Sequence, residues 1–194
     1  MRNKISGKCR SVCVCFILLI SSCATLPEKP EPAKIPLDYW LQKKESVGRA
    51  KREKIQNALD SVFRKALSTK TMDEFGIITM KESITLLEEA GDSAPFVAEV
   101  ILGREQWAAQ AKQPLFWKFR FWCVDMGGYL KDKKLAEILY SVAADRNERP
   151  EIRMRAVLSL REMRMKHFLR ELFLETEDVS IREEVAKSIL YLSR

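Results

Sequence analysis

Residues able to do chemistry are few in this 194-residue chain. The single histidine is His167, and a catalytic or metal site would need further histidines or thiolates beside it. Asp125 is the one carboxylate that stands among aromatic residues, where burial would tune it for acid–base work. The sequence contains no glycine-rich phosphate loop and no Gly-x-Ser-x-Gly motif. We therefore predict no enzymatic activity, no metal and no cofactor; an unrecognised enzyme would need Asp125 and His167 in one cleft.

A second group of reactive side chains is concentrated in residues 115–122, where five aromatic residues fall within seven positions. At 100° per residue they cannot all share one helix face. In one interpretation, neighbouring helices cover them as part of the core. In the other they form a partner-binding patch, because tryptophan and arginine dominate interface hot spots. The patch would consist of Trp117, Lys118, Arg120, Phe121 and Trp122.

The charge balance argues against nucleic-acid binding. The formal net charge of +7 includes four basic residues within 1–22, which contain no acidic residue. Without that segment, 30 basic residues face 27 acidic ones and the net charge is +3. A nucleic-acid partner is therefore not predicted.

The elements that must position these residues are helices, because no segment shows the period-two alternation of strands. Residues 37–78 form an N-terminal helical segment, in which a long polar helix carries a sparse apolar stripe and Gly48 is a candidate break. Further helices are predicted over 80–90, 94–103, 114–127, 132–145, 150–163, 166–175 and 179–192. The sequence therefore predicts an all-α protein.

Local signals set the expected helix ends. Thr79 and Glu82 have the spacing of a capping box, which would open a helix that Gly91 closes. The pair Gly127-Gly128 is interpreted as the C-terminus of the helix over 114–127.

The second half of the chain repeats itself. A shift of 33 residues places Val124 on Val157 and Leu139 on Leu172. A shift of 29 residues then places Arg153 on Arg182. The repeating unit is two helices long, which favours a stacked array of helix pairs.

These copies resemble the HEAT repeat family. The stretches 151–157 (EIRMRAV) and 178–186 (DVSIREEVA) look like the family's first helix, and the resemblance covers 79–194. It implies a right-handed α-solenoid of antiparallel helix pairs. It also implies a structural role for Arg153 and Arg182, which would pair with acids of adjacent repeats such as Asp178 and Glu151. Alternatives are an armadillo-like or tetratricopeptide solenoid, or a helical bundle with accidental periodicity.

The N-terminus has the features of a secretory address. Residues 1–22 join a basic region to a nine-residue apolar run, too short at about 13 Å to cross roughly 30 Å of hydrocarbon. The sequence Ile-Ser-Ser-Cys at 20–23 resembles a bacterial lipobox, which implies that Cys23 is acylated and becomes the first residue. Ala24 stands where an inner-membrane protein of that class would carry Asp, so the outer membrane is favoured.

Four prolines within residues 23–36 predict an extended tether of about 40 Å, and the alternative is a disordered leader without a mechanical role. Three cysteines leave with the signal segment and Cys23 is consumed by lipid, which leaves Cys123 without a disulfide partner. Together these features predict a lipid-anchored envelope protein that faces the periplasm.

The sequence predicts a non-catalytic role, as a scaffold or adaptor that binds another envelope protein or peptide through the solenoid surface. The alternative is a small-ligand or glycan-binding lipoprotein, which would need a pocket lined by Trp117 or Trp122.

Overall fold

The computed structural model describes residues 37–103 and 107–194. The predicted signal segment 1–22, the lipidation site Cys23 and the tether 23–36 lie outside the described residues. The described part of the chain forms ten α-helices, with no strand among them, and the predicted all-α class is confirmed. The helices are α1 Leu37–Glu45, α2 Arg49–Ser68, α3 Met72–Ile78, α4 Met80–Glu88, α5 Ala90–Leu102, α6 Phe116–Leu130, α7 Lys133–Ala144, α8 Pro150–Glu162, α9 Lys166–Glu175 and α10 Val179–Tyr191.

Helix starts follow simple capping chemistry. Asp132 accepts a hydrogen bond from the Lys134 backbone N–H at the start of α7. Asp178 accepts from the backbone N–H groups of residues 180 and 181 at the start of α10. Pro150 occupies the first turn of α8, where a missing donor costs nothing. Gly48 separates α1 from α2, as the sequence indicated.

The predicted capping box at Thr79 is wrong. The Thr79 hydroxyl donates to the Phe75 carbonyl oxygen instead of capping α4. Glu82 turns inward, where its carboxylate accepts from Ser61 Oγ at 2.7 Å and from Lys65 Nζ at 2.5 Å. The Glu82 carboxylate, which a capping box would direct to the Thr79 backbone N–H, is therefore bound by side chains of α2. Gly91 does not close this helix either, because it lies inside α5.

The Gly127-Gly128 pair does not end α6, which continues to Leu130. A Cβ atom on Gly128 would lie 2.9 Å from Cα and Cβ of Ser159 on α8. Ser159 Oγ donates to the Val124 carbonyl oxygen at 2.9 Å across the same contact. Glycine is needed here because two helix backbones meet, and the sequence pattern alone could not distinguish this from a helix end.

Packing links α6 and α8 to helices before and after them in the chain. Helix α6 contacts α5, α7 and α8, while α8 contacts α6, α7, α9 and α10. At the other end, α2 packs on α3, α4, α5 and α6, and α1 packs on α5. One buried apolar cluster runs through these helices from Trp40 to Val185.

Candidate functional site

Part of the aromatic segment belongs to an interior aromatic cluster. Phe116 and Phe119 of α6 lie against Phe63 of α2 and Trp107. The ring centroids of Trp107 and Phe119 are 4.9 Å apart with a tilted geometry. Such contacts add to the burial of the rings, so this face of α6 is a packing surface.

Two residues of the predicted binding patch are interior, which corrects that part of the prediction. The Trp122 residue is 6% exposed and Lys118 is 5% exposed. The Lys118 ammonium donates to the Thr69 carbonyl oxygen at 2.6 Å, just past the end of α2. A lysine can be buried here because its charge meets carbonyl groups that the helix end leaves without partners. The glycan-binding alternative loses Trp122 as an accessible ring for the same reason.

The other three residues of the patch are half-buried. Arg120 donates from Nε to the Ile101 carbonyl oxygen at 2.9 Å and pairs with Glu148 at 2.5 Å. The Arg149 guanidinium lies 4.5 Å from the centre of the Trp117 ring. Phe121 packs against the core cluster. These contacts give Arg120 a structural task within the chain.

Arg153 and Arg182 each donate to a carbonyl oxygen near the end of the preceding helix, but Arg153 is buried whereas Arg182 is exposed. The Arg153 side chain pairs with Asp178 at 2.8 Å and donates from Nε to the Ala143 carbonyl oxygen at 3.1 Å. Arg182 donates to the Thr176 carbonyl oxygen, so a backbone group takes the place of the acidic partner that was expected for it. The Ile181 backbone N–H, together with Arg153, lowers the pKa of Asp178. Both arginines thus bridge successive helices.

The Asp178 partner suggested for Arg153 is present, whereas Glu151 is paired differently from the expectation. Its carboxylate lies 3.7 Å from Nε of Arg149, within the same helix start.

The two candidate acid–base residues make separate contacts. Asp125 on α6 forms an ion pair with Arg155 on α8. Burial raises the pKa of Asp125, against the opposing influence of Arg155. His167 is exposed at the start of α9, with its ring 4.1 Å from that of Phe168. Neither contact joins the two residues.

Cys123 is fully buried, and burial raises the pKa of its thiol well above the usual value. Among the described residues, no group of three or more histidines, cysteines or carboxylates is placed to hold a metal ion.

A feature that sequence reasoning missed is an exposed apolar face on α4. Met80, Ile84 and Leu87 stand at i, i+4 and i+7 and are 61%, 52% and 42% exposed. We call these three residues the α4 stripe. Ile77 of α3, just before it in the chain, is also exposed. The spacing was visible in the sequence, but an apolar stripe of this kind usually predicts the buried side of a helix.

The inward side of α4 explains why the stripe points outward. Leu86 is fully buried and Glu82 is held by Ser61 and Lys65 of α2. Burial alone would raise the pKa of Glu82, but hydrogen bonds from Lys65 and Ser61 outweigh it and the pKa is lowered. The ion pair therefore fixes the rotation of α4 and leaves the apolar stripe outside.

Comparison with family models, with curated proteins and with solved structures found no match. Within the described ranges, no helix has the length and apolar character needed to cross a bilayer.

Proposed function

We propose that this protein is a lipid-anchored envelope adaptor that binds another envelope protein or peptide without catalysing a reaction. The observation that carries the proposal is the α4 stripe together with Ile77. Isolated exposed apolar residues are ordinary on a protein surface, but an aligned set on adjoining helices is typical of interaction sites.

The framework of the proposal is a HEAT-like, right-handed α-solenoid over 79–194. Its support is the contact pattern, in which α6 meets α8, α8 meets α10, α5 meets α7 and α7 meets α9. Contacts between alternate helices are what two stacked layers of helix pairs would produce. A contact with a carbonyl oxygen near the end of the preceding helix, which Arg153 and Arg182 share, also supports a repeat origin.

The anchor of the proposal is Cys23, acylated at the periplasmic face of the outer membrane. Acyl chains contribute about 0.8 kcal/mol for each buried methylene, so several chains hold a protein firmly in a bilayer. A tether of about 40 Å then keeps the helical body close to the membrane.

The partner segment that best fits the α4 stripe is an amphipathic helix. Apolar residues at i, i+4 and i+7 present one continuous ridge of about 10 Å, which matches the apolar face of a second helix. Lys81 is exposed on the same helix and supplies a positive charge beside the ridge, while Glu88 pairs with Lys54 of α2 at 3.2 Å.

The test is site-specific photocrosslinking in intact cells of the source organism. A photoreactive amino acid replaces Ile84, and a matched control replaces Leu174, which is 80% exposed on α9. We expect one defined protein adduct from position 84 that is absent from position 174. Met80→Asp should abolish the adduct while the circular dichroism spectrum stays unchanged.

Separate results would overturn the two parts of the proposal. Lipid adducts or no adduct at position 84 would overturn protein docking on the α4 stripe. The anchor would be overturned if the Cys23→Ser variant still fractionated with membranes and still incorporated the acyl label.

A further inference from the structure

A cleft of about 590 Å³ lies where the α6–α7 turn, the α8–α9 turn and the end of α10 come together. We call it the α8–α10 cleft. Five of its eight lining residues are basic and one, Glu162, is acidic. Tyr191 and Leu192 supply an apolar portion of the wall. The basic residues are Lys131, Arg161, Arg164, Lys166 and Arg194.

Two of these basic residues hold an unusual backbone conformation. Lys131 has φ 55° and Arg164 has φ 59°, and they are the non-glycine residues with positive φ in the described part of the chain. They stand 33 residues apart, at equivalent positions of successive repeats. The left-handed region costs about 1–2 kcal/mol for a residue with a Cβ, so glycine would be favoured at both sites.

The α8–α9 turn shows this conflict in detail. The Met165 N–H donates to the Leu160 carbonyl oxygen and the Arg164 N–H to the Arg161 carbonyl oxygen, both at 2.9 Å. This is a Schellman motif, and Arg164 occupies the position where glycine is commonest. A strained arginine at a turn is a reason to look for a task that its side chain performs there.

Arg161 lines the cleft with a guanidinium that two carboxylates partly neutralise. Its Nε atom is buried without a hydrogen-bond partner. Its guanidinium lies 5.2 Å from the centre of the Tyr191 ring, 3.3 Å from Glu162 and 3.8 Å from Glu184. The two carboxylates offset part of the charge, yet neither satisfies Nε.

The start of α9 adds the Lys166 ammonium to the cleft. Met165 precedes the helix without a side-chain cap, and the Lys166 N–H donates to the Arg164 carbonyl oxygen at 2.9 Å, so the positive end of the helix dipole faces no capping carboxylate or hydroxyl. Lys166, the first residue of α9, donates to Ser193 Oγ at 2.8 Å. A compact anion seated here would meet ammonium and guanidinium groups together.

We propose that the α8–α10 cleft binds a phosphate group, carried either by an anionic lipid headgroup or by a free phosphate compound. Phosphate fits better than a single carboxylate because it offers more acceptor oxygens and more charge to several cations at once. The inference goes beyond the proposed adaptor function, since it uses none of the α4 residues.

The experiment is isothermal titration calorimetry of the full chain in a nonionic detergent. The free-phosphate probes are pyrophosphate and glycerol 3-phosphate, and the headgroup probe is dihexanoyl phosphatidylglycerol. Dihexanoyl phosphatidylcholine, whose headgroup is zwitterionic, is the lipid control. Binding that weakens as ionic strength rises is expected for at least one phosphate probe.

Substitutions place the binding in the cleft. Arg164→Gln should weaken binding about tenfold, the loss expected when one charge-assisted contact is removed. Arg164→Lys should restore most of it. Arg170→Gln removes the same charge from an exposed site of α9 outside the cleft and should leave affinity unchanged. Arg164→Gly should lose binding while its thermal midpoint stays at or above that of the parent, which separates binding from folding.

The probes then identify the source of the phosphate. Tighter binding of phosphatidylglycerol than of glycerol 3-phosphate supports a lipid headgroup, and the reverse order supports a soluble phosphate compound. Absence of binding by every phosphate probe overturns the proposal. Equal losses for Arg164→Gln and Arg170→Gln also overturn it, because they would show diffuse charge attraction. The adaptor proposal stands or falls separately, on crosslinking at position 84.

Discussion

At the residue scale, the effect of replacing Trp122 on stability distinguishes a core position from a surface binding position. Its residue surface is 6% exposed. Replacing a buried aromatic side chain with alanine removes about 3–5 kcal/mol, a large part of the roughly 5–15 kcal/mol that stabilises a typical domain. We therefore expect Trp122→Ala to lower the free energy of unfolding by this amount, as measured by urea denaturation.

Trp117→Ala is the matched control for Trp122→Ala. Trp117 lies on the same helix, is half-buried and has Arg149 against its ring. Trp117→Ala should lower the free energy of unfolding by about 1–2 kcal/mol, because folding buries less apolar surface at Trp117 than at Trp122. Equal losses for the two variants would show that the interior position assigned to Trp122 is wrong.

The sequence restricted the aromatic segment to two interpretations but did not decide between them. Helical spacing placed Phe119 and Cys123 on the inward side, where both are fully buried. The burial of Lys118 depends on the end of α2, where the Thr69 carbonyl oxygen accepts a hydrogen bond from its ammonium. The two residues are 49 positions apart in the chain. No local pattern contains such a pairing. The same holds for Glu82, whose capping spacing was outweighed by contacts with α2.

At the scale of elements, the contact between α6 and α8 depends on a single missing Cβ atom. Alanine at 128 would press against the Ser159 backbone at 2.9 Å. Overpacking of this kind costs about 1–3 kcal/mol, and the backbone of α8 cannot rotate away as a side chain would. We expect Gly128→Ala to lower the thermal midpoint and to move the near-ultraviolet circular dichroism of the α6 tryptophans.

The preceding glycine is a built-in control. A Cβ atom on Gly127 would meet the ends of the Leu139 side chain at 3.5 Å, which is ordinary contact. In a helix interior, alanine stabilises the helix by up to about 1 kcal/mol relative to glycine. Gly127→Ala should therefore leave the thermal midpoint unchanged or raise it. Equal thermal midpoints for Gly127→Ala and Gly128→Ala would contradict the close approach of α6 to α8 at Gly128.

The positions of the helices were the most predictable feature of the fold. A helix end was predicted correctly where no tertiary contact competed with the local capping signal. Pro150 and Asp178 mark helix starts that no distant contact opposes, and α8 and α10 begin where expected. Gly91 and Gly128 were interpreted as ends, yet both lie inside helices. A glycine reports either a left-handed turn or a close approach, and only the packed neighbour decides which. At Lys131 and Arg164 the left-handed turns carry basic residues, so the usual glycine signal was absent.

At the scale of the whole molecule, the question is whether the helices unfold together. Solenoid repeats contact only their neighbours, which permits one end to melt before the other. Here the buried cluster continues from Trp40 in α1 to Val185 in α10. Helix α8 also contacts α6 on one side and α10 on the other. We therefore expect the described helices to unfold in one cooperative transition.

The distribution of tryptophan provides the measurement. All four tryptophans lie at or before position 122, so their fluorescence reports on the first part of the helix array. Far-ultraviolet circular dichroism reports on every helix, including α10. Val185→Ala removes buried methyl groups from α10 only, and its residue is fully buried in the parent. If the array is one cooperative unit, this substitution shifts the urea midpoints of fluorescence and circular dichroism equally. A shift confined to circular dichroism would show that α10 unfolds by itself, and cooperativity across α8 would then be ruled out.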